Sequence, residues 1–110
     1  MNLMHTKVVR GFFKVLQTSE RAQTAMMTLK PGTESGSKGT DHPHSEQVLY
    51  VVRGQVVAEV GRMTRALAAG DVVVVPAGVP HRFSNASKRS AVTFNVYTPP
   101  AYDAGEEEGT

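Results

Sequence analysis

The stretch Gly70-Asp71-Val72-Val73-Val74-Val75-Pro76-Ala77-Gly78-Val79-Pro80-His81-Arg82-Phe83-Ser84-Asn85 decides how this chain folds. The four valines after Asp71 form a β-branched run too short for a helix and bounded by Gly70 and Pro76, so they read as a strand. Pro76-Ala77-Gly78-Val79-Pro80 then supplies two fixed φ angles and one residue free to take positive φ, which is turn chemistry. His81 opens a returning strand with Arg82, Phe83 and Ser84. Read this way, the stretch is a hairpin that sets an imidazole just past a rigid corner, where a metal or substrate can meet it. An isolated histidine there would only start a strand. This one has company elsewhere in the chain.

Working outward, the same alternation of short apolar runs and turns recurs. Upstream lie Val48–Val52, the turn Arg53-Gly54-Gln55, Val56–Val60, the turn Gly61-Arg62, and Met63–Ala68. Downstream, Ala86-Ser87-Lys88-Arg89 is a polar turn and Ala91–Thr98 alternates as a strand, ended by Pro99-Pro100 because proline cannot donate to a ladder. Near the start, Lys7–Leu16 suits an outer strand and Thr18-Ser19-Glu20 a turn. Ala22–Lys30 has some helix propensity, yet it is short, uncapped and stopped by Pro31, so it reads as a strand. Pro31–Gly39 is a polar loop, and a loop of this length within one domain is more often part of a site than idle chain. Asp103–Thr110, with Glu106-Glu107-Glu108, reads as a solvated, flexible tail. Eight or nine short strands with Gly/Pro turns and little or no helix argue an all-β sandwich or barrel, one domain over residues 1–110.

Composition narrows the chemistry. The 110 residues carry 12 Lys and Arg against 10 Asp and Glu, a formal charge of +2, with the basic residues scattered rather than striped. A nucleic-acid surface is not expected. No run approaches the ~18 apolar residues of a membrane span, and the N-terminus lacks the apolar core of a secretory signal, so the expected location is cytoplasmic. There is no cysteine, which excludes disulfides and thiolate metal sites and leaves His, carboxylate and amide donors.

Three of the four histidines flank the two proposed hairpins: His42 and His44 before one, His81 in the other. His5 reads as incidental. On an extended chain His42 and His44 would point the same way, because side chains alternate with period two. Gln47 needs a bulge or bend to join them. Packed mouth to mouth, the hairpins would bring His42, His44, Gln47 and His81 together, a donor set suited to divalent Fe, Mn, Ni, Cu or Zn. The competing reading is a polar loop with surface histidines. Glu46 should face away by alternation, and Glu34 and Asp41 read as solvated charges near the loop. Asn85 reads as a turn residue whose amide satisfies nearby backbone. Tyr50, Phe83, Phe94, Met26, Met27, Leu29, Leu49, Val51 and Val96 are candidates for the barrel wall.

Gly70-x5-Pro76-x-Gly78-x2-His81-x3-Asn85 resembles, in full, the second signature motif of the cupin superfamily. The first motif runs Gly, five residues, His-x-His, three or four residues, Glu, six residues, Gly, and falls at about 36–54. Here Gln47 stands at the Glu position and keeps its spacing to Gly54. No single register fits both ends. Counting back from Gln47 puts His42 and Thr40, or Asp41 and Pro43, at the paired-His positions, whereas counting forward from Gly36 fits His42 and His44 but lands Val48 or Leu49 on the Glu. The resemblance, over roughly residues 25 to 98, implies a double-stranded β-helix (jelly-roll barrel) with a divalent transition metal near its axis. It implies His42, Gln47 and His81 as ligands, with His44 or water as a fourth. It also implies a small-molecule ligand in the barrel and pairing into homodimers.

A neutral amide in place of a carboxylate leaves the 2+ charge uncompensated. Weaker metal retention, stronger Lewis acidity and a preference for an anionic ligand follow. The resemblance is compatible with a metal-dependent enzyme on a small organic acid or phenolic (oxygenase, isomerase, cyclase or lyase). It is equally compatible with a non-catalytic metal- or small-molecule-binding module, or with a structural barrel whose site is vestigial.

Overall fold

The computed structural model describes residues 1–40, 42–103 and 107–108. Apart from one 3-10 turn at Thr6–Val8, the described chain is strand and loop: β1 (Phe13–Thr18), β2 (Gln23–Leu29), β3 (Glu46–Arg53), β4 (Gln55–Val60), β5 (Met63–Ala68), β6 (Val72–Val75), β7 (His81–Ser84), β8 (Ala91–Thr98) and β9 (Glu107–Glu108). They form a six-stranded sheet in the order β6-β3-β8-β2-β1-β9 and a three-stranded sheet in the order β5-β4-β7. The expected all-β jelly-roll barrel is what the chain adopts. No described helix is long and apolar enough to cross a membrane.

Two expected hairpins turn out to be crossings between sheets. β6 pairs with β3 in the large sheet, whereas β7 pairs with β4 in the small one, so the corner at residues 76–80 carries the chain from one sheet to the other. β3 and β4 likewise lie in different sheets, joined through Gly54. A corner that changes sheets needs sharper backbone than a hairpin loop. Gly54 has φ +84°, and a Cβ there would stand 2.7 Å from the Ser90 carbonyl oxygen and 2.9 Å from Ala91 Cα. Local sequence specifies a turn in both places, but not which strand the returning chain will pair with. Genuine hairpins are β1–β2, where Thr18 pairs with Gln23, and β4–β5, where Val60 pairs with Met63 across Gly61-Arg62 and Gly61 takes φ +59°, the sign a type II′ turn requires at its first central residue.

The core lies between the sheets and includes Phe13, Val15, Ala25, Met27, Leu29, Leu49, Val51, Val56, Ala58, Val75, Phe83, Ala91 and Tyr97. Of the proposed wall residues, Phe83, Met27, Leu29, Leu49 and Val51 face inward. Met26, Tyr50, Phe94 and Val96 do not: Tyr50 pairs with Phe94 and Val72, and Met26 with Phe94, on the outer face of the large sheet. Adjacent strand residues cannot share a face, so candidates one apart had to divide. β8 divides against its polarity, with Thr93, Asn95 and Tyr97 buried inside the barrel. The end of the chain departs from the expected tail, because Glu107–Glu108 pairs with Lys14 and Phe13; residues 104–106 and 109–110 lie outside the described residues.

Candidate metal centre

His81 sits at the first position of β7, where Gly39 bridges it through two backbone hydrogen bonds (3.0 and 3.3 Å). The loop at residues 31–39 therefore lies along β7, tied also by Ser35, whose backbone N–H donates to the Phe83 carbonyl (2.7 Å) and whose Oγ accepts from the Phe83 N–H (2.9 Å). His42 stands at the start of a tight turn closed by the Ser45 N–H donating to the His42 carbonyl (3.1 Å). That turn corrects the expected shared direction of His42 and His44, since the chain is not extended there. His42 is buried at 5% exposure and His44 is exposed. The bend needed before Gln47 is this same turn, and Gln47 is buried at the base of β3.

The structure brings His42, Gln47 and His81 together. The two imidazole rings lie 4.6 Å apart, centre to centre, and His42 Nε2 is 3.0 Å from Gln47 Oε1. Each ring is oriented from behind by a backbone carbonyl: His42 Nδ1 lies 3.1 Å from the Ser45 oxygen and His81 Nδ1 3.0 Å from the Val79 oxygen. A carbonyl only accepts, so each contact places the proton on Nδ1 and leaves Nε2 as the basic nitrogen of the neutral ring. Among the described residues no three His, Cys, Asp or Glu side chains converge to hold a metal. The third polar side chain beside the two rings is the Gln47 amide.

Behind Gln47 runs a buried relay that the sequence reading missed. Gln47 Nε2 donates to Asn95 Oδ1 (2.9 Å), Asn95 Nδ2 to Thr93 Oγ1 (3.0 Å), and the Thr93 hydroxyl to the Met27 carbonyl (3.4 Å). Both amide nitrogens point down this chain, so Gln47 Oε1 is turned towards His42 Nε2. In this arrangement an oxygen and an unprotonated nitrogen stand 3.0 Å apart as two acceptors facing one another, a geometry that a shared cation satisfies. Thr93 and Asn95 were findable only as polar residues at alternate positions of a strand, a pattern that ordinarily signals a solvent face.

The cavity at this centre measures about 40 Å³ and is walled by Phe12, Phe13, Met27, Phe83, Tyr97 and Tyr102, with Ser35 and Ser37 on the loop side. The Tyr97 ring meets His42 edge-on at 5.1 Å. The remaining candidates lie elsewhere. Glu46 is exposed, as alternation requires, and Glu34 stands 3.5 Å from Arg82. Asp41 lies outside the described residues. Glu59 accepts a 2.7 Å hydrogen bond from Arg82, whose guanidinium holds the carboxyl below its usual range. Asn85 does what was expected of it, donating to the Leu29 and Arg89 carbonyls and accepting from Ser87.

A model of the cupin domain matches residues 25–97, and the chain belongs to that family. An uncharacterised protein of Streptomyces coelicolor is 38% identical over 68 residues, covering 61% of this chain and 64% of that protein. The chain spans 56–64% of the length of this relative and two further curated ones. Two crystal structures are similar throughout. A Bacillus halodurans protein has a TM-score of 0.84 at 26% identity over 92% of this chain and 80% of its own. A Thermus thermophilus protein has a TM-score of 0.80 at 30% identity over 90% and 98%. More distant relatives by fold include a predicted oxalate decarboxylase from Thermotoga maritima (TM-score 0.65, 23% identity, 74% of this chain and 69% of that one).

Proposed function

We propose that this cupin holds one divalent transition metal through His42 Nε2, His81 Nε2 and Gln47 Oε1, and that the centre acts on a small carboxylate. The observation that carries this reading is the convergence of His42 Nε2 on Gln47 Oε1, 3.0 Å apart, with the Nδ1 of each buried histidine held by a backbone carbonyl. Donor atoms about 2.1 Å from one ion, at octahedral or tetrahedral angles, lie about 3.0–3.4 Å from each other. The carbonyl behind each imidazole supports the same reading, because ligating histidines commonly donate their other ring N–H to such a group. His44, exposed on its turn, is left out of the proposed set.

A metal here would supply Lewis acidity, polarising a ligand oxygen. The chain's own part is to bind and orient. Two neutral rings and a neutral amide leave the ion's charge intact, which favours an anionic ligand, and aromatic side chains line the cavity around it. A cavity of about 40 Å³ takes a few water-sized groups but not a phenolic ring, which narrows the substrate to the smallest organic acids.

Untagged protein, as purified and after reconstitution with Fe(II), Mn, Ni, Zn or Cu, tests this by metal analysis. One ion per chain, lost in His42→Ala and His81→Ala, is the expected result. No stoichiometric metal after reconstitution would refute it. The outer face of the large sheet belongs to the same proposal. Tyr50 is 43% and Val72 61% exposed beside Val48, Val74, Phe94 and Val96, a contiguous apolar surface that a second copy of the chain would cover. Sedimentation of Val74→Lys should then show monomer where the parent shows dimer.

A further inference from the structure

Gln23 is a buried amide with every hydrogen-bonding position used, and none of its bonds serves a strand ladder. Its Nε2 donates to Thr18 Oγ1 (2.9 Å) and to the Tyr102 carbonyl (2.7 Å), and its Oε1 accepts from the N–H groups of Ala101 (3.1 Å) and Tyr102 (3.0 Å). Three of these four bonds pin the segment that follows β8. Pinned there, the Tyr102 ring lies 4.9 Å from Phe13 and 5.2 Å from Tyr97, and it forms part of the cavity wall in front of the histidines.

We infer that Tyr102 is the size-determining residue of the metal centre and that Gln23 is the positioning residue that holds it in the cavity wall. The inference deepens the metal-binding reading and rests on it for the identity of the ligand, though not for the role of Tyr102 in the wall. With the ring in place, the cavity of about 40 Å³ admits water and the smallest carboxylates. Room for a larger ligand on this side opens only if residues 99–102 leave Gln23, which leaves a buried amide with three unmade hydrogen bonds. Buried polar groups left without partners are costly, so the closed arrangement dominates. Nothing in the sequence marks Gln23, one polar residue at the start of an apolar strand.

The histidines supply an internal control. His5 and His44 are exposed, whereas His42 and His81 are 5% and 9% exposed behind the aromatic wall. Diethyl pyrocarbonate, which transfers its ethoxycarbonyl group to an unprotonated imidazole nitrogen and leaves as ethanol and carbon dioxide, reads access to each. On metal-free full-length protein, with modification located by peptide mass spectrometry, His5 and His44 should react fast and His42 and His81 slowly. In Tyr102→Ala the rates at His42 and His81 should rise about ten-fold while those at His5 and His44 stay put, as expected when a local closure is removed and the fold is kept. Tyr102→Phe keeps the ring and should behave as the parent, and Gln23→Ala should follow Tyr102→Ala. Unchanged rates at His42 and His81 in Tyr102→Ala overturn the inference, and so does a rise that Tyr102→Phe reproduces. A second arm titrates the Co(II)-loaded protein with formate and with benzoate, followed by its visible spectrum. The parent should respond to formate alone and Tyr102→Ala to both; a parent that binds benzoate overturns the size limit. Failure to load Co(II) counts against the metal reading and leaves the first arm to decide the role of Tyr102.

Discussion

Asn95 offers the sharpest test of how the site is held. Replacing Asn95 with Leu removes the acceptor of Gln47 Nε2 (2.9 Å) and the donor to Thr93 Oγ1 (3.0 Å) at a position with no solvent exposure. An amide N–H left without a partner in the interior costs about 1–3 kcal/mol. At roughly 4 °C per kcal/mol for a chain of this size, the metal-free protein should melt about 4–12 °C lower. The second consequence is specific to the site. Without Asn95, nothing prevents the Gln47 amide from turning its NH2 towards His42, which satisfies His42 Nε2 and removes the oxygen donor. Loss of an orienting partner of this kind lowers metal affinity by about 10- to 100-fold. Calorimetry gives the first quantity and competition of Co(II) or Ni(II) against a chelator the second. Asn95→Asp retains the acceptor, so it should retain most of the affinity even if burying the carboxylate costs stability. A folded Asn95→Leu protein that binds metal like the parent would refute the relay, as would Asn95→Asp losing as much affinity as Asn95→Leu.

Other outcomes follow from the same structure. Gln47→Glu adds a charge at the third donor and should tighten metal binding by at least about ten-fold in the same competition assay, since affinity at such sites follows ligand charge. Gly54→Ala meets both a left-handed φ, at about 1–2 kcal/mol, and a backbone clash, at about 1–3 kcal/mol, whereas Gly32→Ala (φ +77°, nothing within 4 Å) meets only the first; equal losses on denaturant titration would refute the crossing geometry. Glu59 has its folded pKa lowered below the ordinary 4.5, first by the Arg82 hydrogen bond, with partial burial opposing and the charges of Arg82 and Lys38 adding. Its stabilisation is therefore present above that pH and lost as pH falls through the lowered value, so Glu59→Gln should flatten the acid side of a stability-against-pH curve.

The sequence by itself carried the strands and the corners. β-branched runs too short for helix, cut by Gly and Pro, have one reading, and the spacing from Gly70 to Asn85 marked the motif that His81 belongs to. Asn85 and the outward turn of Glu46 were legible for the same reason: their behaviour depends on residues within a few positions of themselves. What local sequence leaves open is pairing. Hydrogen bonds between strands form with whichever edge the closed barrel offers, and so β6 and β7, adjacent along the chain, went to different sheets. The inward face of β8 was hidden by the same logic, because alternation fixes that Thr93, Asn95 and Tyr97 share a side but not which side is the interior. A polar set normally faces water; here it faces a cavity whose amide relay needs it. His44 faces outward because Ser45 closes a turn on His42, and Gln23 is tied to a segment 78 residues further on. Periodicity and turn chemistry act over a few residues, and a site assembled from five strands and the loops around them exists only once those strands have chosen their partners.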